Sequence, residues 1–171
     1  VRPIIAEQHT HAASLDMVAQ PILARLAQYW LSRRNGAVMP LRSSIDPLDM
    51  PWALSRLFLV DCVPVQQPAA DGGRWRYRYR LAGEEIEAMY RSPARASIRG
   101  QWLEDVIPSD GVAAVMARWR PVPERGEILY MHGLIYRLSN RGARGGRLML
   151  PLCDDAGGPV TFGSFNIALK L

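Results

Sequence analysis

Lysine is almost missing from this sequence: Lys170 is the only one, so 20 of the 21 basic residues are arginine. Cysteine is nearly as scarce. Two residues, Cys62 and Cys153, cannot make a disulfide framework or the paired CxxC spacing of a zinc finger, which leaves them as free thiols in plain packing. Three histidines, His9, His11 and His132, are too few to hold a metal firmly. Long apolar runs are absent as well. Stretches such as residues 57–60 and 148–153 fall far short of the about 20 apolar residues that cross a bilayer. Residues 1–6 have no basic start followed by an apolar run of signal-peptide length, so the reading is cytoplasmic.

Catalytic signatures are missing too. Neither GxxxxGK[ST] nor GxGxxG occurs, so no loop is built to cradle a phosphate. Ser164 sits in Gly163-Ser164-Phe165, without the second glycine of a nucleophile elbow. A serine or cysteine nucleophile needs a base at hand, and none of the three histidines lies in such a motif. The protein is therefore read as non-enzymatic.

What is present is the composition of one ordinary water-soluble domain. Across 171 residues, 49% are hydrophobic and 22% charged, with a mean hydropathy of -0.08, enough to close one core without disulfides or structural metal. The net charge is +5 and the pI about 9.7, which suits nucleic acid or an acidic surface if the arginines cluster. They do cluster in Arg74, Arg76, Arg78 and Arg80, which alternate with Trp75, Tyr77, Tyr79 and Leu81. At period two a strand places the arginines on one face and the aromatics on the other. A half-buried antiparallel sheet gives the same alternation, with the aromatics inside, whereas a platform for single strands wants them exposed.

The rest of the chain divides at its turn residues. Residues 1–20 form an N-terminal arm, loose or helical, and residues 21–171 the main domain. From Pro21, the residues Ile22, Leu23, Leu26, Tyr29 and Trp30 recur at helical spacing until Asn35-Gly36. Asp46-Pro47-Leu48-Asp49 reads as a helix start with Asp46 as cap, cut short by Pro51. Residues 56–63 make an apolar strand, and a turn-rich connection leads to the arginine strand as its antiparallel neighbour. Glu84, Glu85 and Glu87 open a short helix after Gly83, and residues 91–100 are irregular and basic. A helical turn at residues 102–107 precedes a better helix from Ser109, with Val112, Val115, Met116 and Trp119 on one side, ended by Pro121. Residues 127–138, 147–153 and 160–169 are the last three strands, separated by Gly-rich turns. Without βαβ alternation, this order calls for an α+β fold with a five-stranded antiparallel sheet and helices gathered on one face.

That order, with Tyr29-Trp30, Ile45-Asp46-Pro47, Leu57-Phe58-Leu59-Val60-Asp61, Tyr77-Arg78-Tyr79-Arg80-Leu81-Ala82-Gly83, Gly100-Gln101-Trp102-Leu103-Glu104-Asp105-Val106-Ile107-Pro108 and Leu148-Met149-Leu150-Pro151-Leu152, resembles a bacterial family of single-domain PAS-like proteins. The resemblance covers residues 21 to 169. It implies a PAS fold with strand order 2-1-5-4-3, a small-molecule cavity between the sheet and its helices, and an extra N-terminal helix packed on the sheet or on a partner subunit. It also implies a sensory or regulatory role with output through protein contacts; a homodimer through the N-terminal helix or the outer sheet is the expectation that goes with it. Residues 90–98 depart from the family, whose members more often carry a Phe-Gly step and an acidic residue there.

A pocket in such a domain takes its wall from the face opposite the arginines and from the helices over it. Tyr77, Tyr79, Tyr90, Trp119, His132 and Tyr136 are the candidate ligand-binding residues, because each offers a hydrogen bond from an apolar body. The plain alternative is that they are core. His132 shares its strand face with Ile128, Tyr130, Leu134 and Tyr136, an apolar and aromatic neighbourhood where a core histidine bonded to a neighbour is the first reading and a ligand contact the second. Haem and flavin are disfavoured: residues 109–120 contain no histidine for an axial ligand, and no Asn-Cys-Arg motif occurs. The leading reading is a module that binds a small metabolite, a signalling protein partner or both. A nucleic-acid or acidic-surface module using the arginine face is the alternative, and a filled structural domain with protein contacts alone is the third.

Overall fold

The computed structural model describes residues 8–12, 15–68, 72–138 and 141–170. Six antiparallel strands form one sheet: β1 (Gln8–Ala12), β2 (Leu57–Pro64), β3 (Trp75–Ala82), β4 (Ile128–Leu138), β5 (Arg141–Cys153) and β6 (Pro159–Lys170). Their spatial order is β1-β4-β5-β6-β2-β3. Leaving β1 aside, the remaining five follow the 2-1-5-4-3 order implied by the resemblance. Helix α1 (Pro21–Ser32) lies on one face, and α2 (Glu84–Tyr90), α3 (Leu103–Val106), α4 (Val112–Trp119) and α5 (Pro121–Arg125) lie on the other. None of the described helices is long and apolar enough to cross a membrane.

Period-two alternation along the strands creates two cores. Phe58, Val60, Cys62, Tyr77, Tyr79, Leu129, Met131 and Met149 face α2–α5, where Ile86, Met89, Leu103, Val106, Trp119 and Val122 cover them. Leu57, Leu59, Tyr130, Leu148, Leu150, Leu152 and Val160 face α1. That helix answers with Leu23, Leu26, Ala27 and Trp30, one stripe at 3.6-residue spacing. Pro21 sits in its first turn, and Trp30 Nε1 donates to the Pro151 carbonyl at 2.8 Å across the buried interface. The chain leaves the helix through Asn35 and Gly36, both at positive φ. Asp46 caps the short 3-10 turn Pro47–Asp49 by accepting from Leu48 N.

Three sequence expectations change. The arm is not loose or helical at residues 8–12: β1 pairs with β4 from Gln8 opposite His132 to Ala12 opposite Ile128, giving the sheet a sixth strand. Gln-His-Thr-His-Ala carries no apolar alternation, so its strand state comes from the ladder partners that β4 offers rather than from local preference. α4 ends at Trp119, before Pro121 as the sequence indicates, but a further helix that the sequence does not indicate follows at once: Arg120 stays helical (φ -48, ψ -44) and Pro121 opens α5 at its first position, which needs no N–H donor. The Gly/Arg segment before residue 147 is strand from Arg141 onward, because both β4 and β6 pair with it and ladder bonds on two sides outweigh the glycines' weak preference.

Gly83 sets the join between β3 and α2. Backbone atoms of Leu54 and Ser55 occupy the space a Cβ would need there, so only glycine lets the 3-10 turn Leu54–Arg56 close against the start of α2.

Candidate functional site

Trp119, at the end of α4, is 2% exposed and forms the hub of the helix-side core. Tyr77 and Tyr79 approach its ring edge-on, with centroids at 5.4 Å and 6.4 Å, and Phe58 stacks on it at 6.3 Å. Tyr90, the last residue of α2, lies 6.4 Å from Tyr79 by ring centroid, and the two hydroxyls hydrogen-bond each other. Strand alternation delivers Tyr77 and Tyr79 to this side, because Arg76, Arg78 and Arg80 take the opposite face. Four of the six sequence candidates, Tyr77, Tyr79, Tyr90 and Trp119, therefore come together.

His132 does not join them. Its ring packs against Tyr130 at 5.9 Å, and Tyr130 belongs to the core beneath α1. Ile128 and Tyr130, at period two with His132, share its face, as the sequence indicates, but that face looks toward α1, while Leu129 and Met131 look toward Trp119. Alternation tells which residues share a side and not which layer covers it. Tyr136 is in β4, beyond a register shift, and its side chain lies outside those described.

One residue of this cluster escaped the sequence reading. Arg147 is 5% exposed and lies beside Met131 in the ladder, with Nη2 donating to Met131 Sδ at 2.9 Å and the guanidinium carbon 5.8 Å from the Trp119 ring centre. The signal for it was available: Leu148, Leu150 and Leu152 mark one face of β5, so Arg147 and Met149 must occupy the other. Burial pushes the phenols of Tyr77 and Tyr79 well above their usual range and raises that of Tyr90, and the Arg147 charge works against the rise at Tyr79 and Tyr90. Trp119 Nε1 is buried and has no hydrogen-bond partner among the described residues.

Above the cluster runs the irregular stretch between α2 and α3, which holds an open groove of about 560 Å³ bordered by Ser92, Arg95, Ser97, Arg99, Gln101 and Asp105. Arg95 pins it by donating to the carbonyls of Tyr90 (3.2 Å), Asp105 (2.8 Å) and Val106 (3.2 Å), the exposed ends of two short helices. Its charge also acts on the Tyr79 and Tyr90 phenols, and its hydrogen bond to the Tyr90 carbonyl ties the groove to the last residue of α2. Glu87, 7% exposed, accepts from Ser97 Oγ at 2.7 Å and Ile98 N at 3.0 Å and holds the far side of the loop.

The arginine face is arranged differently from an open basic platform. Arg80 and Arg78 reach Asp61 at 2.7 Å and 3.6 Å, while Arg76 pairs with Glu104 at 2.5 Å and lies 3.9 Å over the Trp102 ring. The pairing Asp61 opposite Arg78 follows from the β2–β3 register.

Comparison with known proteins gives one family and one distant structure. No curated protein matches. A solved structure described as an RNA-binding Light-Oxygen-Voltage receptor aligns at 13% identity and a TM-score of 0.40, over 75% of this chain. The chain spans 35% of that structure's length. A family model described as PAS domain matches residues 18–165, which takes in α1, β2 to β5, the first half of β6 and the helices between them. The chain belongs to the PAS domain family of sensory and regulatory modules.

Proposed function

We propose that this protein is a non-enzymatic PAS module that takes a small molecule at the Tyr77, Tyr79, Tyr90 and Trp119 cluster and passes the signal on through protein contacts. The observation that carries this reading is Trp119 Nε1, a buried donor without a partner among the described residues, ringed by aromatic side chains. A buried donor left unmet costs about 1–3 kcal/mol, and an acceptor atom on a ligand removes that cost. The groove lined by Arg95, whose guanidinium bonds the Tyr90 carbonyl, is the route of entry in this reading.

The route outward is β5. Arg147 and Met149 touch the aromatic cluster, while Leu148, Leu150 and the Pro151 carbonyl on the reverse side grip α1. A ligand that shifts this strand changes the seat of α1, and differential affinity for two seats of that helix is all that a population shift requires. The partner is a second copy or another signalling protein that reads α1.

The test is native purification, followed by mass spectrometry of whatever denaturation releases and a thermal-shift screen of a metabolite library. A stoichiometric small molecule, or a compound that raises Tm in the parent protein and not in Trp119→Phe, supports the reading. An empty protein whose Tm no compound moves overturns it. The nucleic-acid alternative is less well supported, because Arg76, Arg78 and Arg80 are engaged with Asp61, Glu104 and Trp102.

A further inference from the structure

We propose that β1 is the pairing edge of a two-fold dimer in which His9 and His11 of two copies together bind one zinc-class divalent metal ion; this goes beyond the small-molecule reading and does not depend on it. The two edges of the sheet differ. At the β3 edge the Tyr79 amide donates to the Gln101 carbonyl at 3.0 Å and the Gly100 amide to the Tyr79 carbonyl at 2.6 Å. A further bridge joins Arg78 to Trp102, and Arg76, Arg78 and Arg80 alternate along the strand. Cover and charge of this kind keep a strand edge from pairing further. At the opposite edge β1 stands last in the order, bonded to β4 alone among the described strands. Its sequence, Gln-His-Thr-His-Ala, has no proline, arginine, lysine or carboxylate to turn a neighbour away.

The occupant that fits is a second copy of the same strand. His-Thr-His reads the same in both directions, so antiparallel pairing about a two-fold axis at Thr10 sets His9 opposite the second copy's His11, and His11 opposite its His9. Directly opposed residues share a face, with Cα atoms about 4.5–5.5 Å apart, and diagonal ones stand about 7–8 Å apart. All four histidines therefore occupy one face around the axis. The β1–β4 register says which face: His9 stands opposite Met131 and His11 opposite Leu129, at the rim of the helix-side layer, while His132 stands opposite Gln8 on the other face. One chain brings two histidines to this rim, and among the described residues no group of three histidine, cysteine or carboxylate side chains is placed to hold a metal ion. A second copy supplies the missing pair. Neutral imidazoles ligate zinc with Zn–N of about 2.0–2.1 Å, and four of them complete a tetrahedron. A ladder of two five-residue strands is a small interface between chains that each carry a net charge of +5, so the ion is what makes it hold.

The experiment uses the full chain without a polyhistidine tag, stripped of metal by a chelator and titrated with zinc chloride. Sedimentation is expected to show the mass doubling, and calorimetry one zinc per two chains. His9→Ala and His11→Ala should each abolish both effects, and His132→Ala should change neither. Circular dichroism establishes that each variant is folded. Thr10→Cys, at a position on the face away from the two histidines, reports the pairing without touching the ligands. Its partner position across the axis falls within the Cα span of about 4.4–6.8 Å that a disulfide bridges, so under mild oxidation zinc should speed a cross-link between two copies, located by peptide mass spectrometry. Zinc bound without a change of mass, a zinc-induced dimer that survives both alanine variants, or no zinc-dependent cross-link in Thr10→Cys overturns the proposal.

Discussion

Tyr130 and His132 pack ring against ring at 5.9 Å on the side of the sheet covered by α1, while Met131 between them faces Trp119. His132→Ala is therefore expected to leave small-molecule binding unchanged and to weaken the α1 interface by about 1 kcal/mol, the scale of an aromatic pair. Denaturant unfolding and calorimetry on the same variant separate the two effects. Loss of binding with unchanged stability would place His132 in the site after all.

Gly83 and Gly111 make a matched pair of backbone tests. An alanine at Gly83 meets the backbone of Leu54 and Ser55, which cannot rotate away, so Gly83→Ala should destabilise by about 1–3 kcal/mol. Gly111 has open space where its Cβ would stand and no positive φ, so Gly111→Ala should be neutral or stabilise by up to about 1 kcal/mol. Urea midpoints of the two variants against the parent give the comparison.

Alkali should unfold the protein before it titrates the cluster. Tyr77, Tyr79 and Tyr90 have folded-state pKa values raised by burial above the ordinary phenol value of 10.0. Below that value both states hold the proton and these groups give no pH dependence. Above it the unfolded state releases protons that the folded state keeps, so stability falls as pH rises toward the folded pKa values. A spectrophotometric titration should show these three tyrosines ionising together with loss of the near-ultraviolet dichroism of Trp119. Ionisation of all six tyrosines near pH 10 in a protein that stays folded would contradict the burial.

Asp61 serves two arginines from a side chain that is only 13% exposed. Both arginines are nearly half exposed, so solvent screens the pairs and Asp61→Asn should cost no more than about 1 kcal/mol, less at high salt. Releasing Arg78 and Arg80 should at the same time strengthen retention on an anionic resin. The parent should show weak, shallow salt dependence with single-stranded oligonucleotides, and a steep one would revive the nucleic-acid reading.

Much of the architecture was legible because local and global demands agree. The α1 stripe of Leu23, Leu26 and Trp30, the Asp46-Pro47 cap, the acidic opening of α2 and the alternation in β3 each state a local preference that packing then satisfies. The aromatic half of the site was legible for the same reason, since Tyr77 and Tyr79 must lie opposite the arginines and Trp119 ends an amphipathic helix. The strand state of residues 8–12 and of 141–146 was not, because both owe it to partners far away in sequence.

From α1 to β6 the succession of the main strands and helices and the two faces of the amphipathic ones follow from residue spacing, because pleat and helix have fixed periods, and the turn-rich connection marks β2 and β3 as neighbours. Which layer covers each face is a matter of tertiary structure. Only the packing of α1 on one side and α2–α5 on the other takes His132 away from the tyrosines. The same packing makes Arg147 a buried cation beside Trp119, although on a linear reading it looks like one more surface arginine in an arginine-rich chain. Periodicity is local, but burial depends on what the rest of the chain brings to the face.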